Sequence, residues 1–468
     1  MALLALGASD ATLLASRRTP AGPGWQHWRA GPDPATLHVV ARVRRVVAGT
    51  GLVGAVLGWA TRTRAAPSRG VLVRLAVLVE DGVRVLQVAL LRLFRRSAAP
   101  LVVPFLGHGS PARVQIGGRA VLGRPRSAAR RLLVPGDEGV LAPLRTPQHG
   151  RSAQRRRAVL RTSLSRFLTV EVADAPVTIR TPGAERTVRS DRDGYVDTVV
   201  EGHGLAPGWH DVELEPAGGA AVRTPVLVVA PDVRLGLVSD VDDTILHTGL
   251  TGGLEFLRIT LLTEVTERAP LPGAAALYRA LVRREGEAGL PVFYLSTSPW
   301  NLHEMLVEFI ALRGFPLGPL LLTDWGPGRG NLFRIGARDH KLGLIRRILD
   351  EHPGVALLLV GDTGQLDPEI YAAAVREHPG RIRAVYVRRT DARDTRRRAE
   401  VDALAAEVTA AGVPMLAVDD SVEIAEHAAA LGLLDAAQVE EVRAETRAAG
   451  RGGPWSRPAG ALYPPAGR

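Results

Sequence analysis

The amino-acid sequence predicts an α/β protein in which a doubly wound, mostly parallel sheet is preceded by a small β-sandwich. Residues 166–232 are short segments of alternating polar and apolar residues separated by Gly, Pro and Asp turns, which is typical of antiparallel strands. Across residues 233–440, short apolar strands alternate with helical segments, which indicates parallel strands joined by crossover helices. Because such sheets bind ligands beyond the carboxyl ends of their strands, we expect functional motifs there.

The composition allows two or three domains with real cores, since the chain has 468 residues and 46% of them are hydrophobic. The chain contains no cysteine, which excludes disulfide bonds and thiolate metal sites. Lysine occurs once, as Lys341, and the other 58 of the 59 Lys and Arg residues are arginine. Because arginine fills every other basic position, we expect position 341 to need a property that arginine lacks.

Positive charge is concentrated in the first part of the chain. Residues 1–165 contain 26 arginines against 6 acidic residues, a net charge of +20, while the whole chain carries +11. This asymmetry indicates contact with an anionic partner, either a membrane surface or nucleic acid. The alternative is compositional drift in a poorly ordered leader. The basic segment 124–163 has no aromatic residue on which bases could stack, so nucleic acid is not expected.

The segments outside the two predicted domains are harder to interpret. Residues 1–70 are predicted to be a disordered or membrane-proximal leader, and the apolar run 46–60 is shorter than the roughly 20 residues that span a bilayer. Residues 71–96 have an amphipathic pattern with a basic face, so 71–165 is predicted to be a membrane-surface helix followed by a linker. A core-facing helix or a valine-rich strand is the alternative. Residues 441–468 are predicted to be a disordered tail.

The first predicted strand of the α/β domain ends in the acidic sequence SDVDDT. Asp240 and Asp242 lie two residues apart and are followed by Asp243 and Thr244. Carboxylates this close repel one another unless a proton or a cation lies between them. Because all the candidate ligands are oxygens, the pattern favours a hard divalent ion such as Mg²⁺, although acidic turns of this kind are often simply solvated.

Further polar motifs follow at later strand ends and helix starts. They are the hydroxyl groups of Ser296, Thr297 and Ser298 in YLSTSPW, then Lys341 in HKLGLI, then Asp362 and Asp367 in GDTGQLDPEIY. Each of these signals is weak by itself. Serines often cap helices, for example, and Ser298 precedes a predicted helix that starts near residue 301. Together, the motifs converge on one edge of one predicted sheet.

In their order and context, these motifs resemble the haloacid dehalogenase superfamily. The sequences SDVDDTI, YLSTSPWNL, HKLGLI and GDTGQLDPEIY are similar to the catalytic domain of the actin-patch-associated (App-one) phosphatidate phosphatase family and, more distantly, to lipins. The resemblance covers roughly residues 233–420. It implies a haloacid dehalogenase-like fold, and the spacing between the motifs leaves no room for a large cap, so the site is expected to be open.

The resemblance also implies a role for each motif residue. Asp240 would be the nucleophile that forms an aspartyl-phosphate, and Asp242, oriented by Thr244, would act as general acid and then general base. The Mg²⁺ ligands would be Asp240, the backbone carbonyl of Asp242, Asp362 and, directly or through water, Asp367. The phosphate would contact Ser296, with Thr297 and Ser298 beside it, and Lys341. Lysine is a compact point charge, which suits a crowded site better than a planar guanidinium.

These inferences predict a Mg²⁺-dependent phosphomonoester hydrolase. We expect phosphatidate as the substrate and diacylglycerol as the product, mainly because the resemblance implies them. An open site, which suits a lipid head group, and a basic N-terminal part, which suits an anionic membrane, agree with this expectation. One alternative is a phosphatase of a soluble phosphoester or phosphoprotein. A second is a membrane-associated scaffold with a vestigial phosphatase domain. The chain is expected in the cytoplasm, where it would be peripheral on the inner membrane surface.

Overall fold

A computed structural model shows an α/β protein with one mixed sheet and one parallel sheet. The predicted α/β class and the mostly parallel sheet after residue 233 are therefore confirmed. The predictions for residues 1–70, including the run 46–60, and for 71–96 and 124–163 lie outside the residues that the structure describes. Those described residues are 100–122, 170–245, 270–283, 290–323, 337–390 and 394–450.

The mixed sheet contains nine strands among the described residues, in the order β1-β3-β2-β9-β8-β5-β6, with β4 and β7 also pairing with β3. Only the β2–β9 pair is parallel. The strands are β1 (Pro100–Pro104), β2 (Gly107–Ser110), β3 (Arg113–Leu122), β4 (Val170–Glu171), β5 (Pro176–Arg180), β6 (Glu185–Arg189), β7 (Tyr195–Glu201), β8 (Gly208–Pro216) and β9 (Val222–Val228).

The described part of the mixed sheet includes residues 100–122, which precede the predicted domain start at residue 166. Strands β1 to β3 lie within 71–165, which was predicted to be helix and linker. In β3 the residues Val114, Ile116 and Ala120 point into the core, and the strand pairs with β7 over seven residues. This alternation of buried and exposed residues is the pattern of a half-buried strand. The nine strands hydrogen-bond as one connected sheet, and the sandwich layering stays a prediction.

The second sheet has six parallel strands in the order β12-β11-β10-β13-β14-β15. All six residues of β10 are buried, as expected for a central parallel strand with both faces covered. The strands are β10 (Leu235–Asp240), β11 (Val292–Pro299), β12 (Leu320–Thr323), β13 (Ala356–Asp362), β14 (Ile382–Arg388) and β15 (Met415–Val418).

Helices cover both faces of the parallel sheet. Leu237 belongs to a buried cluster that also contains residues of α1, α2, α6 and α7, and its neighbour Val238 belongs to a second cluster with residues of α3, α4 and α5. No helix in the described part of the chain is long and apolar enough to cross a membrane. The helices are α1 (Ala274–Val282), α2 (His303–Arg313), α3 (Ala337–Glu351), α4 (Asp367–Glu377), α5 (Thr395–Ala410), α6 (Ser421–Ala430) and α7 (Ala436–Gly450).

The last helix, α7, continues beyond residue 440, where the domain was predicted to end. Val442 of this helix is fully buried. Glu445 accepts hydrogen bonds from the backbone N–H of Ala276 at 3.1 Å and from Arg279 at 2.7 Å, which ties α7 to α1. The described α/β part therefore reaches Gly450, and residues 441–450 of the predicted tail are helical.

The mixed sheet packs directly against the α/β part. The ring of Phe105 stacks on Trp300 with 4.2 Å between ring centroids, and Leu227 belongs to the same buried cluster as Val238. The backbone N–H of Leu106 donates to Nε2 of His303 at 3.5 Å. These contacts hold β9 and the residues just before β2 against the part of the chain that contains the parallel sheet.

Candidate active site

The carboxyl ends of three adjacent strands bring the predicted motifs together. Strand β10 lies between β11 and β13, and parallel neighbours present their ends at one edge of a sheet. Asp240 is the last residue of β10 and Asp362 the last residue of β13. Ser296 and Ser298 lie in β11, and Asp367 is the first residue of α4. Lys341 is the fifth residue of α3, one turn later than the helix start that was predicted.

Lys341 joins two of the aspartates in the interior of the protein. Its Nζ donates hydrogen bonds to Oδ1 of Asp240 and to Oδ1 of Asp367, both at 2.6 Å. The side chain of Lys341 is only 2% exposed. Burial by itself would lower the pKa of Lys341, but the two carboxylates outweigh burial and raise it above its ordinary value. The ammonium group therefore stays charged at neutral pH.

This position explains the lone lysine in physical terms. A single nitrogen serves two carboxylates at 2.6 Å within a buried space. An ammonium group is a compact charge with three donors that can turn toward either partner, whereas the donors of a guanidinium are held in a rigid planar fork. The space between Asp240 and Asp367 therefore suits the compact ammonium group of a lysine better than a guanidinium group.

Asp242 is held by the two serines of β11. Its Oδ2 accepts a hydrogen bond from Ser296 Oγ at 3.0 Å and one from Ser298 Oγ at 3.3 Å. Ser296 Oγ also accepts from the backbone N–H of Ser298 at 2.9 Å, so the two residues form one unit. Burial raises the pKa of Asp242, which favours the protonated form that a general acid needs. Thr297 lies between the serines and is partly exposed.

Two sequence-based interpretations change at this point. Thr244 was expected to orient Asp242, but its Oγ1 donates to Oδ2 of Asp240 at 3.3 Å. The hydroxyl groups that contact Asp242 are those of Ser296 and Ser298. The turn after β10 passes through Asp243 in the left-handed region, with φ of 55°, and returns Thr244 toward the strand end. Ser298 lies within β11 and does not cap α2, whose first residue follows Leu302 without a side-chain cap.

Asp362 anchors a tight loop and leaves one oxygen unpaired. Its Oδ1 accepts from the backbone N–H groups of Gly364 at 2.6 Å and Gln365 at 3.0 Å. Its Oδ2 is buried and has no hydrogen-bond partner. Burial and the nearby charge of Asp367 raise the pKa of Asp362 to about 8. A buried carboxylate oxygen without a partner is costly unless a proton or a cation satisfies it.

The acidic residues at this edge fit a hard divalent cation. Asp240, Asp362 and Asp367 each offer one carboxylate oxygen, and these oxygens lie within 4.8 Å of one another. Lys341 offsets only one of the three negative charges, and burial together with this repulsion raises the pKa of Asp240 well above its ordinary value. Oxygen donors and uncompensated negative charge are what Mg²⁺ and Ca²⁺ prefer.

The sequence analysis missed two supporting residues, Arg397 and Gly361. Arg397 donates from Nε to the carbonyl oxygen of Thr363 at 2.9 Å and from Nη2 to that of Gln365 at 2.8 Å, so it holds the loop after Asp362. As one of 58 arginines it carries no distinguishing signal. Gly361 leaves space for Asp367, because a Cβ at this position would lie 2.6 Å from Oδ2 of Asp367. Its place directly before Asp362 was the available clue.

The segment that carries the aspartates, the serines and Lys341 of this site matches a known protein family. Residues 235–389 match the family described as phosphatidate phosphatase APP1, catalytic domain. The chain is 29% identical over 193 residues to phosphatidate phosphatase APP1 of Saccharomyces cerevisiae, which is 41% of this chain and 30% of the yeast protein. It is 25% identical over 158 residues to an uncharacterized protein of Schizosaccharomyces pombe, which is 33% of this chain and 25% of that protein.

The chain thus spans less than a third of the length of these curated relatives. Among solved structures, a carbohydrate acetylesterase from Xanthomonas citri overlaps 75% of this chain and 74% of its own, at 12% identity and a TM-score of 0.23. A TM-score this low carries no information about the fold or the chemistry of this chain.

Proposed function

We propose that this chain is a phosphatase that hydrolyses phosphatidate to diacylglycerol and inorganic phosphate. Its residues 235–389 match the catalytic domain of the phosphatidate phosphatase APP1 family, as the motifs predicted. The observation that carries the proposal is the cluster at the end of β10. There, the buried Asp240 contacts the only lysine of the chain, and together with two further aspartates it forms a group of three carboxylates that fits a divalent cation.

In the proposed reaction, Asp240 attacks the phosphorus atom of the substrate. Lys341 and Thr244 each donate to one of its oxygens, which fixes the carboxylate and leaves lone pairs free for attack. The bond from phosphorus to the leaving oxygen breaks as the aspartyl-phosphate forms. Lys341 offsets the negative charge that gathers on the phosphoryl oxygens, and this electrostatic contribution is typically the largest in such transfers.

Asp242 supplies and then removes the proton in this mechanism. Burial keeps its pKa raised, so it can hold the proton that the leaving alkoxide of diacylglycerol takes up. The ionised carboxylate that results accepts a proton from water, and the water attacks phosphorus to release phosphate and free Asp240. The bonds from Ser296 and Ser298 hold Asp242 in place through both steps.

A Mg²⁺ ion would be held by Asp240, Asp362 and Asp367, with the Asp242 backbone carbonyl as a further ligand, and would neutralise charge on the bound phosphate. We extend the proposal to the fold, which we assign to the haloacid dehalogenase type. The support is a parallel sheet with helices on both faces and the key aspartate at the end of a central strand. Ser296, Thr297 and Ser298 would lie along the phosphate-binding side of this edge.

Phosphatidate is the proposed substrate because the APP1 match and the basic N-terminal part point the same way. Residues 1–165 carry a net charge of +20, which favours an anionic lipid surface. We therefore propose a cytoplasmic protein that works peripherally on the inner membrane surface. The same mechanism would hydrolyse soluble phosphomonoesters and phosphoproteins, so an experiment has to distinguish these substrates from phosphatidate.

The test is phosphate release by the purified full-length chain. Substrates are phosphatidate in mixed micelles, a soluble phosphomonoester such as p-nitrophenyl phosphate, and a phosphopeptide, each with Mg²⁺ and with EDTA. The proposal predicts Mg²⁺-dependent turnover with phosphatidate preferred by kcat/KM. Preference for a soluble ester would contradict the proposal that phosphatidate is the substrate, but it would support the proposal that the chain is a phosphatase. Absence of turnover on all three substrates would favour a scaffold with a vestigial domain.

A further inference from the structure

We propose a second metal site, for a transition-metal ion such as Zn²⁺, formed by His108, Glu351 and His352 where the mixed sheet meets the end of α3. His108 lies on β2, whereas Glu351 is the last residue of α3 and His352 directly follows it. Each offers one ligand atom, and these atoms lie within 4.8 Å of one another. The site is separate from the Asp240 cluster and does not depend on the proposed phosphatase activity.

Buried polar atoms without partners converge on this point. His108 is 2% exposed and His352 is 5% exposed. Leaving such groups unsatisfied in the interior costs free energy comparable to a lost hydrogen bond for each. The atoms without a hydrogen-bond partner are Nδ1 and Nε2 of His108, Oε2 of Glu351 and Nε2 of His352. An ion bound here would satisfy an atom of each residue at once.

The closest pair of these atoms has the spacing of two ligands. Nδ1 of His108 lies 3.3 Å from Oε2 of Glu351, yet the geometry is not that of a hydrogen bond. In a tetrahedral zinc site with bonds of roughly 2.0–2.1 Å, neighbouring ligand atoms lie about 3.3 Å apart. The ligand atom of His352 lies within 4.8 Å of the ligand atoms of His108 and Glu351.

The surroundings hold both imidazoles in place. Phe293 lies against each ring, with its centroid 5.6 Å from that of His108 and 5.7 Å from that of His352. The backbone of His108 is paired on both sides, with β3 and β9, and the carbonyl oxygen of His352 accepts from Arg381 at 2.8 Å. Ring contacts and backbone hydrogen bonds of this kind help to orient metal ligands.

The donor set selects the class of ion. Two imidazole nitrogens and one carboxylate are ligands of Zn²⁺ and related transition metals, whereas Mg²⁺ prefers oxygen alone. Arg347 lies 3.7 Å from the other oxygen of Glu351, Oε1, so Oε2 remains available. The positive charges of Arg347 and Arg113 near the cluster oppose an ion held by electrostatics alone and favour one bound through imidazole nitrogen.

The position suggests what the ion would do. Helix α3 carries Lys341 near its start and Glu351 at its end, ten residues or about 15 Å apart. An ion at the end of α3 would join this helix to β2 and so fix the helix that places Lys341 beside Asp240. Its expected effect is structural, on stability and on the packing of the two sheets.

The test measures metal retained by the full-length chain. The protein is stripped with a chelator, incubated with Zn²⁺ in excess Mg²⁺, which occupies all-oxygen sites, and dialysed. We expect about one equivalent of zinc to remain, a higher Tm, and two imidazole nitrogens in the X-ray absorption spectrum of the bound zinc. A shell of oxygen ligands only, or no retained zinc, would overturn the proposal without any variant being made.

Variants then assign the ligands. His108→Gln and His352→Gln are expected to lower zinc retention at least tenfold. His378→Gln is the matched control, because its Nε2 is also buried and unpaired but lies outside the cluster, and it should retain zinc as the unmodified chain does. Circular dichroism checks that each variant is folded. Unchanged retention in folded His108→Gln and His352→Gln would assign the zinc elsewhere and end the proposal.

Discussion

Lys341 shows how a single residue type can be informative against a biased composition. In a chain of 58 arginines, one lysine was expected at a position that arginine cannot serve, and the structure places it between Asp240 and Asp367. The aspartates at strand ends followed from their spacing in the same way. The hydrogen-bond partners of Thr244 and Ser298 could not be predicted from spacing. They depend on the left-handed turn at Asp243 and on contacts between strands far apart in sequence.

Lys341→Arg should lower kcat by roughly 10²-fold or more, the size of one lost electrostatic contact. The larger guanidinium cannot place one nitrogen between two carboxylates at 2.6 Å. Because the side chain is buried, overpacking should also cost about 1–3 kcal/mol of stability. Steady-state kinetics and a melting curve measure both. Arg346→Lys is the control, an exposed exchange on the same helix that should change neither. Equal kcat in both variants would remove Lys341 from the site.

Asp362 should make stability depend on pH when no divalent ion is bound. Its pKa is raised from 3.8 to about 8, so between these values the folded protein binds more protons at this carboxyl than the unfolded chain does. The free energy of unfolding therefore falls as pH rises through this range. In EDTA, the Tm of the unmodified protein should fall relative to that of Asp362→Asn between about pH 5 and pH 8, and Mg²⁺ should reduce the difference. Parallel Tm curves would contradict the raised pKa.

At the scale of elements, the strands of the parallel sheet could be predicted from sequence, whereas strands β1 to β3 of the mixed sheet could not. Strands β10 and β13 are buried on both faces, so they appear in the sequence as continuous apolar runs. Strand β3 contains Gly117 and Gly118 and is interrupted by arginines, which hides its alternation in a basic region. The loop that holds Asp362 also depends on a distant element, since Arg397 of α5 binds its carbonyl groups.

Gly361→Ala and Gly343→Ala should have opposite effects. A Cβ at Gly361 would lie 2.6 Å from Oδ2 of Asp367 and 2.8 Å from its Cβ, so Asp367 must move away from Lys341. We expect a loss of about 1–3 kcal/mol in stability and reduced turnover. At Gly343, within α3, a Cβ meets nothing within 4 Å, and alanine should stabilise the helix by about 1 kcal/mol. Chemical denaturation compares the two. Similar effects of both substitutions would show that Gly361 is not needed for close approach.

At the scale of the whole molecule, the change of sequence pattern indicated where the parallel sheet begins, but the pattern did not indicate how far each sheet extends. The change from alternating to helical patterning marked the start of the α/β part near residue 233, and β10 begins at Leu235. The other boundaries depend on tertiary contacts that short-range patterns do not encode. Strands β1 to β3 belong to the mixed sheet, and α7 packs on α1 through Glu445. A fragment beginning at residue 166 would therefore lose three strands of its sheet.

Removing residues 1–97 should weaken binding to anionic vesicles and spare hydrolysis of a soluble phosphoester. This segment holds 14 arginines and 4 acidic residues, a net charge of +10, and the cut leaves β1 intact. Binding of the full chain should fall with added salt, because the attraction to the surface is electrostatic. Vesicle sedimentation measures it, with uncharged vesicles as the control. Equal binding by full-length and shortened protein would place the membrane contact elsewhere.

The most direct test of the account is the turnover of Asp240→Asn on the substrate that the full-length chain hydrolyses best. An amide keeps the shape of the side chain and cannot act as the nucleophile, so we predict a loss of more than about 10²-fold, beyond what a single weak contact contributes. Asp211→Asn is the matched control, a partly buried aspartate of β8 with a raised pKa, and it should keep full activity. If folded Asp240→Asn kept more than about one percent of the activity, Asp240 would not be the nucleophile and the proposed mechanism would be wrong.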